Sequence, residues 1–290
     1  MELLVVFGRL VFSSFSNVFQ KKLAQQGLHP FFIVMASYLI LSIICLPLLW
    51  MLNPTELSLS FWINIFFAAL FDMAGTLFLV MSLSKTDLSV FGPLNAYKVV
   101  ISMFLAMIFL GEIPSLQGFI GVGIIVLGSY FLFPVASNIN SNRLLQLLSD
   151  KGVQYRFLSI VLFSIGTLPL KQAVVLGDAL ATTVFWCLIG LPLAIIANRL
   201  FLKDNFKHDI ALSKNNLSQF IYLGSLIFLM QYMTMIVFSQ LFIAYSLALF
   251  QLAMVLQVFL GYRIFNEKHL LRRLAASAVM IVGSLLVLKA

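Results

Sequence analysis

Apolar runs of about 20 residues recur along the chain from end to end, separated by short polar turns. Ten can be traced, at 2–20, 31–52, 60–84, 86–110, 115–134, 155–176, 178–200, 216–238, 242–265 and 269–288. None shows the strict apolar–polar alternation of a barrel strand. Inside a bilayer such a run satisfies its own backbone N–H and C=O groups only as a helix. The pattern therefore predicts an all-α membrane protein with ten transmembrane helices.

The order of the runs repeats. "VISMFLAMIFLGEIPSLQGFIGVGIIVLGSYFLF" and "MVLQVFLGYRIFNEKHLLRRLAASAVMIVGSLLVL" each contain a span ending in Gly-Glu or Asn-Glu, a short turn and a second span. Glu112 precedes Gly128 by sixteen residues, and Glu267 precedes Gly283 by the same sixteen, so the blocks lie 155 residues apart. Upstream, "SNVFQKKLAQQG" aligns with "GTLPLKQAVVLG", placing Lys21 on Lys171 and Gly27 on Gly177. The chain divides into a five-helix repeat at 1–134, a polar linker at 135–154 and a second five-helix repeat at 155–290. Five is odd, so the second repeat must enter the membrane upside down, as two inverted repeats (5+5).

These same residues carry a family likeness. The segment "FLGEIPSLQGFIGVGIIVLGSYFLF" resembles the end of an EamA domain, the repeated unit of the drug/metabolite transporter superfamily. "YRIFNEKHLLRRLAASAVMIVGSLLVL" is similar to the same motif closing a second copy, with Asn266 where Gly is usual. The resemblance implies a ten-helix transporter that moves a small metabolite through a central cavity lined mainly by spans 1, 3, 4, 6, 8 and 9. It also implies cytoplasmic termini.

Composition agrees with the membrane reading: 62% of the residues are hydrophobic and only 10% charged. The formal net charge of +8 does not point to nucleic acid, because the basic residues form no patch separate from the spans. Most follow odd-numbered spans, among them Lys21, Lys22, Lys85, Arg156, Arg199 and Arg273, with Arg9, Lys171 and Lys289 on the other side. By the positive-inside rule this places the termini outside, opposite to the family habit, and absolute orientation stays open. The first span is no signal peptide, since "MELL" offers Glu2 in place of a basic head. Cys45 and Cys187 fall inside spans, far apart in sequence, and imply neither a disulfide nor a metal site.

Two charges stand out within the spans. Asp72 lies twelve residues from each end of run 60–84, and Lys98 twelve from each end of run 86–110. Both are thirteen residues from Lys85 in the intervening turn, so two antiparallel helices bring them to one depth, about 20 Å from that turn. An intramembrane charge costs about 2.5–3.5 kcal/mol on insertion scales, so each needs a partner or water. The expectation is that Asp72 and Lys98 face each other or share one cavity. Thr76, Asn95 and Ser102 lie one turn away on the same faces. The 155-residue offset carries Asp72, Thr76, Lys98 and Ser102 onto Ile227, Gln231, Ala253 and Gln257, which makes Gln231 and Gln257 further candidates. Pro93 removes the hydrogen bond to the Ser89 carbonyl and is expected to bend the fourth span. Lys21 and Lys171, as repeat mates, are expected at opposite mouths, attracting anions or snorkelling to the interface.

Other classes find little support. His29, His208 and His269 lie in loops or at span ends, and no HExxH, nucleophile elbow or phosphate-cradling loop is present. Trp50, Trp62 and Trp186 read as interfacial anchors or core fillers, and Glu112 and Glu267 as structural groups at helix ends. The reading is a secondary active transporter of the inner membrane, not an enzyme, without cofactor, metal or nucleic acid. Its substrate is a small polar or anionic metabolite, amino-acid-like or an organic acid, moved by alternating access. Its partners are that solute, membrane lipid and protons as the candidate coupling ion; a monomer suffices and a dimer is compatible. The alternative is a flippase for a lipid-linked or amphipathic substrate.

Overall fold

The computed structural model describes residues 2–110, 115–132, 149–201, 206–241 and 243–288. Among them the chain is helical, with no strand. In order the α-helices are α1 Glu2–Gln25, α2 Pro30–Cys45, α3 Leu59–Leu83, α4 Leu88–Phe91, α5 Tyr97–Leu110 and α6 Leu116–Tyr130. The second half holds α7 Lys151–Gly177, α8 Ala179–Phe201, α9 Phe206–Asn215, α10 Leu217–Gln240, α11 Ile243–Phe250, α12 Ala253–Phe265 and α13 Leu270–Leu288. Helix α7 starts within the stretch read as linker; most of that stretch, and Glu112, lie outside the described residues.

Seven segments are long and apolar enough to cross a membrane, and Leu116–Ser129 and Ala253–Phe265 are shorter apolar helices. Fewer than ten qualify for local reasons. Helix α1 has the length but carries Arg9, Lys21 and Lys22. The fourth run, one of the seven, is nonetheless broken where Pro93 predicts it: α4 gives way to a 3₁₀ turn over Pro93–Ala96 before α5 begins. The ninth run is also broken, at Gln251–Leu252 between α11 and α12, although no proline lies there.

Four helix pairs dominate the packing: α3 with α7, α6 with α13, α1 with α10, and α2 with α8. In each pair the partner numbers run in opposite senses, so the helices are antiparallel. A Cβ at Gly121 would lie 2.7 Å from the Gly283 carbonyl oxygen, while one at Gly128 would lie 3.3 Å from that of Ala276. Likewise Gly8 meets Met233 and Phe19 stacks on Tyr222. Gly190 meets Tyr38, and the Ser42 hydroxyl donates to the Cys187 carbonyl at 3.4 Å. Glycine at the α6–α13 crossing lets the backbones touch, the usual device where lipid supplies no hydrophobic drive between helices. Large apolar side chains such as Phe7, Phe66, Leu127, Phe201 and Leu229 stay exposed around the bundle, as a lipid-facing surface requires. The α2–α8 contact also brings together Cys45 and Cys187, both buried free thiols.

Candidate functional site

Three of these pairs, α1–α10, α2–α8 and α3–α7, together with Asn95, Lys98 and residues 247–257, line a cavity of about 170 Å³. Of the residues singled out in the sequence, Asp72, Thr76, Asn95, Lys98, Gln231 and Gln257 line it, as do the repeat equivalents Ile227 and Ala253. Asp72 comes from the middle of α3, and Lys98 from the first turn of α5, just after the break. They form no salt bridge with each other among the described residues, yet each lies within the other's electrostatic reach. Asp72 Oδ2 instead accepts a hydrogen bond from Trp186 Nε1 at 3.0 Å, and its backbone carbonyl accepts from Thr76 at 2.7 Å. Trp186, read as an anchor or filler, is a buried donor to the intramembrane carboxylate, and it packs on Tyr38.

The two breaks meet at the cavity. Asn95 Nδ2 donates to Gln251 Oε1 at 3.4 Å, joining the interruption of the fourth run to that of the ninth. Gly92 allows this approach, since a Cβ there would fall 2.7 Å from Gln257 Oε1.

Three predicted residues lie elsewhere. Ser102 is half-buried on α5 and is not part of the lining. Lys21 is buried beside the wall residue Gln20, with Nζ 2.9 Å from Glu267 Oε1 and donating to the Thr86 carbonyl at 2.8 Å. Lys171 donates to the Phe238 and Leu241 carbonyls at the C-terminus of α10. The two repeat mates thus hold the ends of α3 and α10, and neither lines the cavity.

Lys21 belongs to a larger network. Glu267 also accepts from the backbone N–H groups of Leu88 (2.7 Å) and Ser89 (2.8 Å) and from the Ser89 hydroxyl. Arg273 reaches Glu267 at 3.4 Å and Asp87 at 2.7 Å. One carboxylate therefore ties together α1, the start of α4, the α12–α13 turn and α13.

Sequence reasoning missed two cations. Arg9 and Arg156, read there only as marks of topology, both line the cavity. The Arg9 guanidinium lies 3.7 Å over the Phe250 ring and donates from Nε to Thr234 at 3.3 Å. That of Arg156 lies 3.9 Å over Phe91 and donates from Nη2 to Asn95 at 3.0 Å. A partial signal was present: Arg9, Ser13, Ser16 and Gln20 stand on one face of α1, and Arg156 shares a face of α7 with Thr167. Among the described residues the walls carry three cationic side chains and one carboxylate, a formal excess of two positive charges.

Comparison with known proteins gives the setting. No curated protein matches the chain in sequence. A solved structure, known only as a crystal structure of a protein, is 12% identical and superposes with a TM-score of 0.67, covering 98% of this chain and 95% of that one. That likeness shows a shared fold. Residues 1–133 match the model of the EamA-like transporter family. With its set of apolar helices the chain is a multi-pass integral membrane protein whose first 133 residues are similar to the EamA-like transporter family, a family of the drug/metabolite transporter superfamily.

Proposed function

We propose that the chain is a secondary active transporter that moves a small polar or anionic metabolite, amino-acid-like or an organic acid, by alternating access. The observation that carries this reading is a cavity within the helical bundle whose wall holds Asp72, Lys98, Arg9 and Arg156. Charges this costly to bury persist where they meet a ligand or water. Its volume of about 170 Å³ favours a small solute over the lipid-linked alternative.

The reading includes ten crossings in two inverted five-span halves, with α4–α5 and α11–α12 each counted as one interrupted crossing. The packing supports it, because exchanging the halves carries the α3–α7 pair onto α10–α1 and leaves α6–α13 and α2–α8 unchanged. The arginines follow the same exchange, each from the first helix of its half and stacked on the interrupted helix of the other. Interrupted helices around a midplane site are the common transporter device, supplying hinges and exposed backbone dipoles. On this reading the Lys21–Glu267–Arg273–Asp87 network, which ties α1 to α4 and α13, separates when the helices rearrange during transport. Asp72 is the candidate proton-coupling group, and the inner membrane is the proposed location.

Uptake and efflux in sealed vesicles test the reading. Lys98→Ala and Asp72→Asn are expected to cut solute flux at least tenfold while the proteins stay folded. Normal transport by both variants would remove the site from the mechanism.

A further inference from the structure

Building on the transport reading, we infer that the substrate is a small organic dianion whose two anionic groups are taken by Arg9 and Arg156. The charge balance leads there first. Lys98 and Asp72 stand within electrostatic reach of each other and offset one another, which leaves the two guanidinium groups without a counter-charge in the wall. Among the described residues, neither arginine forms a salt bridge. Two uncompensated cations inside a bilayer call for two negative charges from the ligand.

The mounting of the arginines supports the same occupant. Each is braced face-on against a phenylalanine ring and donates one side-chain hydrogen bond. A guanidinium has five N–H donors in a planar fork, so stacking fixes the plane and leaves an edge for a bidentate carboxylate. Among the described residues Arg156 Nε is buried without a partner, and so is Gln251 Nε2, a donor on the same wall. Arg9 lies on the first helix of one half and Arg156 on the first helix of the other, so each half presents a guanidinium. A molecule with a like anionic group at each end answers both.

Size narrows the class. A dry cavity of about 150 Å³ accommodates benzene, so about 170 Å³ suits a ligand of roughly six to ten non-hydrogen atoms. A linear dicarboxylate of three to six carbons fits that range, and a nucleotide does not.

Thermal unfolding of the full-length protein in detergent tests this, using malonate, succinate, glutarate, butyrate, alanine, sulfate and hydrogen phosphate at millimolar concentration. At least one dicarboxylate should raise the Tm by several degrees, with butyrate, alanine and the inorganic anions inactive. Arg9→Gln and Arg156→Gln should each abolish the shift while still unfolding cooperatively. Arg9→Lys and Arg156→Lys, which keep the charge and lose the fork, should retain a reduced shift. Stabilisation by butyrate or alanine through these arginines would overturn the dianion and leave transport standing. A shift confined to sulfate or phosphate would overturn the organic class. If no dicarboxylate shifts the Tm the inference falls, and only an absence of flux for every solute in proteoliposomes removes the transport reading with it.

Discussion

Lys21 and Glu267 meet at 2.9 Å across 246 residues of sequence, both side chains buried, and Glu267 is held on its other oxygen by Arg273 and Ser89. Removing one partner of such a pair leaves an uncompensated buried charge, at a cost of about 3–5 kcal/mol. Glu267→Ala should therefore lower the Tm sharply, and Glu267→Gln less. Lys21→Met combined with Glu267→Gln should be less destabilising than the two single losses added together. A double-mutant cycle on thermal melts checks this, and simple additivity would mean the contact contributes nothing.

The α6–α13 crossing depends on backbone approach at Gly121 and Gly283, where an added Cβ would lie within 3 Å of the opposite carbonyl. Gly121→Leu should destabilise by about 1–3 kcal/mol, because a backbone cannot move aside as a side chain does. Gly123 is an internal control: it is exposed on the same helix, with nothing within 4 Å of its Cβ position. Gly123→Leu should leave the melting curve almost unchanged. Equal losses from both substitutions would contradict this packing.

Trp186→Phe should preserve the aromatic contact with Tyr38 but delete the donor to Asp72 Oδ2. Loss of one partner from a buried carboxylate costs about 1–3 kcal/mol. The expected result is a lower Tm that Asp72→Asn partly restores in the double variant, since a neutral amide tolerates the loss better.

His29 gives the chain one pH signature outside the membrane. Its imidazole accepts from the Phe31 backbone N–H at the start of α2, and burial lowers its pKa below 6.5, with Asp209 opposing the shift. A histidine with a depressed folded pKa binds its proton more readily when unfolded. Its contribution is therefore present above about pH 6.5 and is lost as the pH falls through the lower folded value. His29→Asn keeps an N-cap acceptor and should flatten this part of the stability–pH curve. An identical acid slope in the variant would assign the effect to other groups.

Much of the candidate site was legible in the sequence because depth is a linear property. Counting from Lys85 brings Asp72 and Lys98 together as candidates, the repeat offset adds Gln231 and Gln257, and all four line one cavity. Facing is not linear. Arg9 and Arg156 look like ordinary flanking cations until α1 meets α10 and α7 meets α3, which turns the faces that carry them inward. The break in the ninth run has no proline to announce it, and Trp186 gains its role only because α8 lies against the wall that presents Asp72.

The sequence by itself determined the helical class, the apolar segments and the charges that fall within them. Each follows from backbone satisfaction in lipid and from counting residues along a helix of fixed rise. The tertiary structure alone decided which cations line the cavity, which pair elsewhere, and that Glu267 gathers four parts of the chain. A buried charge is defined by the groups that replace its water, and here those groups come from helices separated by most of the chain.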